Sequence, residues 1–180
     1  MVQKYYTAEE IRIHTCAEDC WVSVFDKVFN LTALNKEHRG PLANPLSEVA
    51  GESISHWFNE KNGDVKTYMD PKRNVIMPYT PAGRFIHVPP PDPKDDAPAV
   101  DMPWWKDTKY VIGKLTAKTR MVKIVNMVTR TEDVISVCQE ETISDIRDRY
   151  LEYNAHSHSY TFKALINDEF TVLDMNKTLD

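Results

Sequence analysis

Glycine is scarce in this chain, with five in 180 residues, and no two stand close enough to form a Gly-x-Gly-x-x-Gly turn. That excludes the glycine-rich cradle by which nucleotide and flavin phosphates are held. Cysteine is scarcer still, at Cys16, Cys20 and Cys138. Three thiols make no disulfide framework, the Cys16–Cys20 spacing is wider than a Cys-x-x-Cys clasp, and a structural zinc needs four ligands. The cysteines therefore read as reduced thiols. No apolar run approaches the roughly 20 residues that cross a bilayer, and the opening Met1-Val2-Gln3-Lys4-Tyr5 lacks the apolar core of a signal peptide. The expectation is an intracellular chain without a membrane segment. Positive charge is in deficit, with 22 Lys and Arg against 27 Asp and Glu and a formal net charge of -5, which argues against nucleic acid as a partner. With no nucleophile–base pair legible, the chain is expected not to be an enzyme.

What is present is an ordinary globular composition, 42% hydrophobic and 27% charged, in a length that suits one large domain or two small ones. Six of the eleven prolines fall between residues 89 and 103, where Asp92, Asp95, Asp96 and Asp101 keep the segment solvated. Proline at that density donates no ladder hydrogen bonds and favours an extended path. The predicted organisation is a domain over 1–88, a proline-rich linker over 89–103, and a second domain over 104–180.

In the first part, Thr7-Ala8-Glu9-Glu10 is a capping-box signature for a helix start. Cys20 to Phe25 and Lys27 to Thr32 read as two strands around a tight turn at Asp26-Lys27, followed by short helical pieces near 47–50 and 52–58. The segments Tyr5-Tyr6-Thr7-Ala8-Glu9-Glu10-Ile11, Trp21-Val22-Ser23-Val24, Lys27 to Thr32 and Ala50-Gly51-Glu52, with the turn Glu37-His38-Arg39-Gly40-Pro41, resemble the cytochrome b5 haem-binding domain. In that family a His-Pro-Gly-Gly turn supplies one axial histidine, which His38 matches, with Arg39 and Pro41 replacing the usual proline and second glycine. Alignment on Ala50-Gly51 and Phe58 puts the second ligand position at Gly63, which has no side chain to offer. Two residues could refill it. Tyr68 follows by five positions, and a phenolate is an accepted haem ligand whose hard anionic oxygen favours ferric iron. His56 precedes Gly63 by seven and reads first as a packing or capping residue beside Trp57, second as a fallback ligand.

Past the prolines the pattern changes. Met121 to Met127 and Asp133 to Val137 alternate with period two, as a hairpin would. Thr142 to Leu151 puts Ile143, Ile146, Tyr150 and Leu151 on one helical face. Tyr160 to Ala164, a turn at Asn167-Asp168, Phe170 to Leu173 and Lys177 to Leu179 follow as short strands. This order resembles the ubiquitin-like β-grasp fold, so the fold class is α+β: a cytochrome b5-like domain plus a ubiquitin-like β-grasp domain. Trp104-Trp105, just ahead of it, reads either as an interface anchor or as packing beneath the domain. His87 reads as structural, and His156 and His158 as members of a solvated loop.

A closer resemblance rests on Val49-Ala50-Gly51-Glu52-Ser53-Ile54-Ser55-His56-Trp57-Phe58, Thr80 to Pro90 with its Gly-Arg-Phe-Ile-His-Val-Pro-Pro, Pro103-Trp104-Trp105 and Leu115 to Arg120. Together these look like the cytochrome b5 domain-containing protein 1 family. The resemblance implies a radial-spoke stalk component of the ciliary axoneme that binds haem under oxidising conditions, touches other axonemal proteins and helps coordinate ciliary beating. It also implies an axial pair that in some members combines one tyrosine and one histidine, whose types exchange places here at His38 and Tyr68. The readings from other classes are a soluble cytochrome b5-type electron carrier and a haem-free protein-binding adaptor.

Overall fold

A strand far along the chain closes the first sheet. The computed structural model describes residues 3–90 and 100–179, and the chain divides into two units, Met1–Leu115 and Thr116–Asp180. In the first, β1 (Tyr5–Tyr6) leads into α1 (Ala8–Arg12). Thr7 opens that helix as expected: its hydroxyl accepts from the Glu10 N–H, and the Glu10 carboxylate accepts from the Thr7 N–H. Then come β2 (Thr15–Cys16), β3 (Asp19–Val24) and β4 (Lys27–Asn30). The β3–β4 turn puts Phe25 in the left-handed region at φ 54, and the Phe25 N–H donates to Ser55 Oγ at 2.7 Å. β4 is shorter than predicted, because the Asn30 side chain accepts from the Thr32 N–H and starts α2 (Thr32–Glu37). α3 (Asn44–Glu48), a 3-10 turn at Ser55–Trp57, and a hairpin of β5 (Thr67–Asp70) with β6 (Val75–Pro78) follow.

The closing strand is β7 (Val111–Leu115), which lies between β1 and β4 in the sheet order β1-β7-β4-β3-β2. It runs parallel to β1 and antiparallel to β4. Gly113 permits that placement: a Cβ there would sit 2.5 Å from the Lys4 carbonyl oxygen and 2.7 Å from the Tyr6 ring. Under the sheet, Phe29, Leu34, Leu46, Trp57, Phe58, Phe85 and Trp104 form one buried cluster. Its rings meet edge to face or tilted, with Phe29–Trp104 at 5.6 Å and Trp57–Phe85 at 5.2 Å.

This corrects the predicted boundary at 103/104. Trp104 is fully buried in the first unit, β7 pairs within its sheet, and the Trp105 indole N–H and Lys106 both reach Asp64. The Lys106 ammonium holds the Asp64 carboxyl below its ordinary value. A tryptophan with no exposed surface cannot serve as a docking anchor, so that reading of Trp104 gives way to packing. Of the proline-rich linker, residues 91–99 lie outside the described residues.

In the second unit, β8 (Thr119–Asn126) and β9 (Thr131–Cys138) form an eight-residue antiparallel hairpin. The Asn126 side-chain oxygen accepts from the Val128 and Thr129 N–H groups at its turn. α4 (Ile143–Tyr150) is opened by a capping box between Thr142 and Asp145. Ile143, Ile146 and Tyr150 pack on Ile135 and Val137 as the periodicity predicts, while Leu151 is the C-cap and partly exposed. β10 (Lys163–Ile166) and β11 (Glu169–Val172) turn through Asn167 and Asp168, both at positive φ, the conformation that a two-residue hairpin loop demands. The sequential order β8, β9, α4, β10, β11 is the expected one, but Lys177 to Leu179 forms no strand and contributes an isolated bridge from Thr178 to Thr142. Among the described residues, however, the two hairpins remain separate two-stranded sheets.

Gly113→Ala should cost the first unit about 3 kcal/mol, since the added methyl meets backbone that cannot yield. Trp104→Ala should cost about 4 kcal/mol by leaving a cavity. Urea denaturation followed by far-UV circular dichroism measures both; a Trp104→Ala midpoint equal to that of the parent would restore the docking reading.

Candidate functional site

His38 is presented by the end of α2. Leu31 and Leu34 anchor that helix in the core with no exposed surface. The final turn therefore points outward, and His38 closes it as the C-cap, its N–H donating to the Leu34 carbonyl at 3.0 Å. The side chain is exposed. Two residues on, Gly40 adopts φ +149, with nothing within 4 Å of where a Cβ would be. The chain re-enters through an Ala43 N–H to Gly40 carbonyl bond, and Pro45 then starts α3.

A second histidine reaches the same place. The Ile86 N–H donates to the Leu42 carbonyl at 3.1 Å, seating the segment 84–88 against the turn that follows His38. This brings the His87 ring to 5.5 Å from the His38 ring, nearly perpendicular at 85°. His87 holds φ 70, and its Nδ1 accepts from the Trp104 N–H at 2.9 Å. Accepting at Nδ1 puts the proton of the neutral ring on Nε2. Burial, and then the neighbouring His38, push the His87 pKa below its ordinary value, which favours that neutral form. A ring nitrogen carrying a proton cannot ligate iron, so His87 serves as a structural acceptor, as its sequence context suggested. What sequence reasoning missed is its meeting with His38. Residues so far apart in the chain carry no local signal of contact.

The other candidates lie elsewhere. Tyr68 stands on β5 opposite Met77, 47% exposed, and its hydroxyl has no partner among the described residues. His56 is exposed on the 3-10 turn, with its ring 6.0 Å from that of Trp57. Gly63 occupies the left-handed region at φ 67 in the turn between Asn59 and Asp64, a backbone role that explains glycine there. No ring contact or hydrogen bond joins His38 to Tyr68 or to His56. None of these residues lines the open cleft of about 520 Å³ formed by Phe25, Ser55, Phe58, Lys61, Lys66 and Thr67 with their neighbours. Among the described residues no three His, Cys, Asp or Glu side chains gather as a metal cluster, and His158 pairs with Asp148 at 2.9 Å. Burial pushes the Cys20 thiol up to about 11, which makes it inert.

Residues 7–116 match the family model described as a cytochrome b5-like haem/steroid binding domain, ending one residue past the structural unit. Cytochrome b5 domain-containing protein 1 of Xenopus laevis is 45% identical over 181 residues, covering 98% of this chain and 80% of that protein. The Homo sapiens protein of the same name is 42% identical over 175 residues, covering 94% and 77%. The chain belongs to this family. Cytochrome b5 of Mus musculus is 30% identical over 114 residues, covering 63% of this chain and 83% of that protein.

The donor chemistry suits haem. His38 is an exposed imidazole whose nitrogens make no hydrogen bond among the described residues. Tyr68 adds a phenol equally free. His38 would offer a nitrogen donor, His87 is committed to Trp104, and no contact places Tyr68 beside either of them.

A histidine whose pKa is lowered on folding contributes stability that is fully present above its unfolded value of 6.5 and is lost as pH falls below 6.5 towards the folded value. The first unit should therefore show a urea midpoint that declines from pH 7.5 to pH 5. His87→Asn keeps an acceptor for Trp104, tolerates positive φ and cannot titrate, so it should flatten part of that decline. An unchanged slope would remove His87 as its source.

Proposed function

We propose that the first unit is a redox-dependent haem-binding module, with His38 and Tyr68 as axial donors, in a non-enzymatic structural subunit of the ciliary axoneme. The observation that carries the haem reading is the free, exposed imidazole of His38 at the end of α2, in the turn where the family places an axial histidine. Bound haem would supply a one-electron iron couple at that position. The chain's own part is to hold the ring of His38 outward on a rigidly anchored helix and to offer a phenolate that stabilises the ferric state. Haem affinity is then higher under oxidising conditions. The axonemal role, with radial-spoke proteins as partners and no catalysis, is supported by membership of the family. The strand-strand-helix-strand-strand order of the second unit supports a ubiquitin-like protein-binding module there. No helix among the described residues is long and apolar enough to cross a membrane.

The second reading is a cytochrome b5-type electron carrier, and the 30% identity to Mus musculus cytochrome b5 favours it. The two differ in ligand set. Haemin titration of the oxidised chain should give a phenolate-to-iron charge-transfer band that Tyr68→Phe abolishes. His38→Ala should weaken ferric binding at least tenfold, and His56→Ala should leave it unchanged. A sharp bis-histidine spectrum lost in His56→Ala would instead support the carrier.

The cellular reading has its own check. The tagged chain in ciliated cells should stay with axonemes after detergent extraction, and quantitative release into the soluble fraction would sink the axonemal role.

A further inference from the structure

The open cleft of about 520 Å³ beside the β3–β4 turn has a lining of rings and cations. Its aromatic part is Phe25 and Phe58. Phe25 holds φ 54, a region that a bulky side chain rarely adopts, so the surrounding structure must impose it. The fixing contact is the Phe25 N–H on Ser55 Oγ at 2.7 Å, and Ser55 Oγ shares a second hydrogen bond with Ser53 Oγ at 3.0 Å. Ser53 is in turn bridged to Ser23 of β3. The Phe25 ring is thereby held half-buried at the cleft, while Phe58, buried among Phe85, Trp104 and Trp105, backs it from the core side. The cationic part is Lys61 and Lys66, and both backbones are fixed. The Lys61 N–H donates to Asn59 Oδ1 at 2.9 Å and the Lys66 N–H to the Trp57 carbonyl at 2.8 Å, while the Lys66 carbonyl accepts from the Tyr79 N–H at 2.7 Å. Phe58 and Val65 bridge across the base of the loop that carries Lys61. Lys106, Lys109, Lys114 and Lys123 all have carboxylate partners. The ammoniums of Lys61 and Lys66 have none among the described residues, and neither pairs with Glu60, the one acid on the lining. Two ammoniums against one carboxylate make this lining positive on a chain whose formal net charge is -5.

We propose that this cleft binds a small apolar carboxylate, its body against Phe25 and Phe58 and its charge at Lys61 and Lys66. The volume is that of an ordinary small-molecule site, in which an apolar wall carries affinity and a few polar groups fix orientation. A flat ring system gains by leaving water for the aromatic wall. The carboxylate meets two cations that the chain itself leaves without a partner; a neutral molecule forgoes that attraction and a cation is repelled. Both ammoniums stand in solvent, so their share is modest and screened by salt. The rings therefore supply most of the affinity, and the lysines the preference for an anion. Neither His38 nor Tyr68 lines the cleft, so the site does not depend on the haem reading.

The test is a titration of the full, isotope-labelled chain with naphthoate and with its neutral analogue naphthalenemethanol, followed by amide chemical shifts. Shifts should centre on Phe25, Ser55, Asn59 to Lys61, Lys66 and Thr67. Naphthoate should bind about tenfold more tightly than the alcohol at low salt, an advantage that about 0.5 M salt largely removes. Lys61→Gln and Lys66→Gln, both at exposed positions, should each weaken naphthoate about threefold and leave the alcohol unchanged. Phe25→Gly, which accepts the left-handed backbone without strain, should weaken both ligands. Equal affinity for the two ligands would overturn the assignment, as would lysine variants that bind naphthoate as tightly as the parent. So would shifts centred on the exposed Leu165 and Phe170 of β10 and β11, or no saturable binding up to about 5 mM.

Discussion

The pairing of β7 with β1 and β4 is the contact on which the first unit depends. It joins residues 5 and 6 to residues 114 and 115 and places a distant strand near the middle of the sheet rather than at its edge. Everything from Leu31 to Tyr110 thereby becomes an excursion that leaves the sheet and must return to it. Closing so long a loop costs only slightly more than closing a short one, because the entropy grows with the logarithm of length. Two-sided strand pairing and burial of Trp104, Phe85 and Phe58 offset it. Gly113 is the local condition: only a residue without a Cβ lets the Lys4 carbonyl and the Tyr6 ring approach as they do.

That excursion holds the candidate donors, and each is presented differently. His38 is rigid at its base, since α2 is pinned by Leu31 and Leu34, and free at its ring. Tyr68 sits on a hairpin with exposed apolar side chains on both faces.

In the second unit local chemistry and packing agree. The Thr142–Asp145 capping box, the left-handed turn residues Asn167 and Asp168, and the apolar face of α4 all specify the same arrangement. Glu141, almost buried, is matched by the Arg149 guanidinium at 2.6 Å and by the Cys138 N–H, so its charge is fully satisfied. Leu165 and Ile166 of β10 and Phe170 and Val172 of β11 remain exposed.

By itself the sequence determined what periodicity and turn chemistry encode: the Thr7 capping box, the β3–β4 and β8–β9 hairpins, the buried face of α4, and the Glu37-His38-Arg39-Gly40 turn that betrays the family. Each is written within about ten neighbouring residues, so its physics is local. Only tertiary structure decided where the first domain ends, because nothing within Val111–Leu115 says which strands it pairs with. Tertiary contacts also made Trp104 a core residue rather than a surface anchor, through its rings against Phe29, Phe58 and Phe85. They brought His87 beside His38 and put Met77 across from Tyr68. Contacts such as these are set by long-range burial and strand register, and neither composition nor spacing carries a record of them.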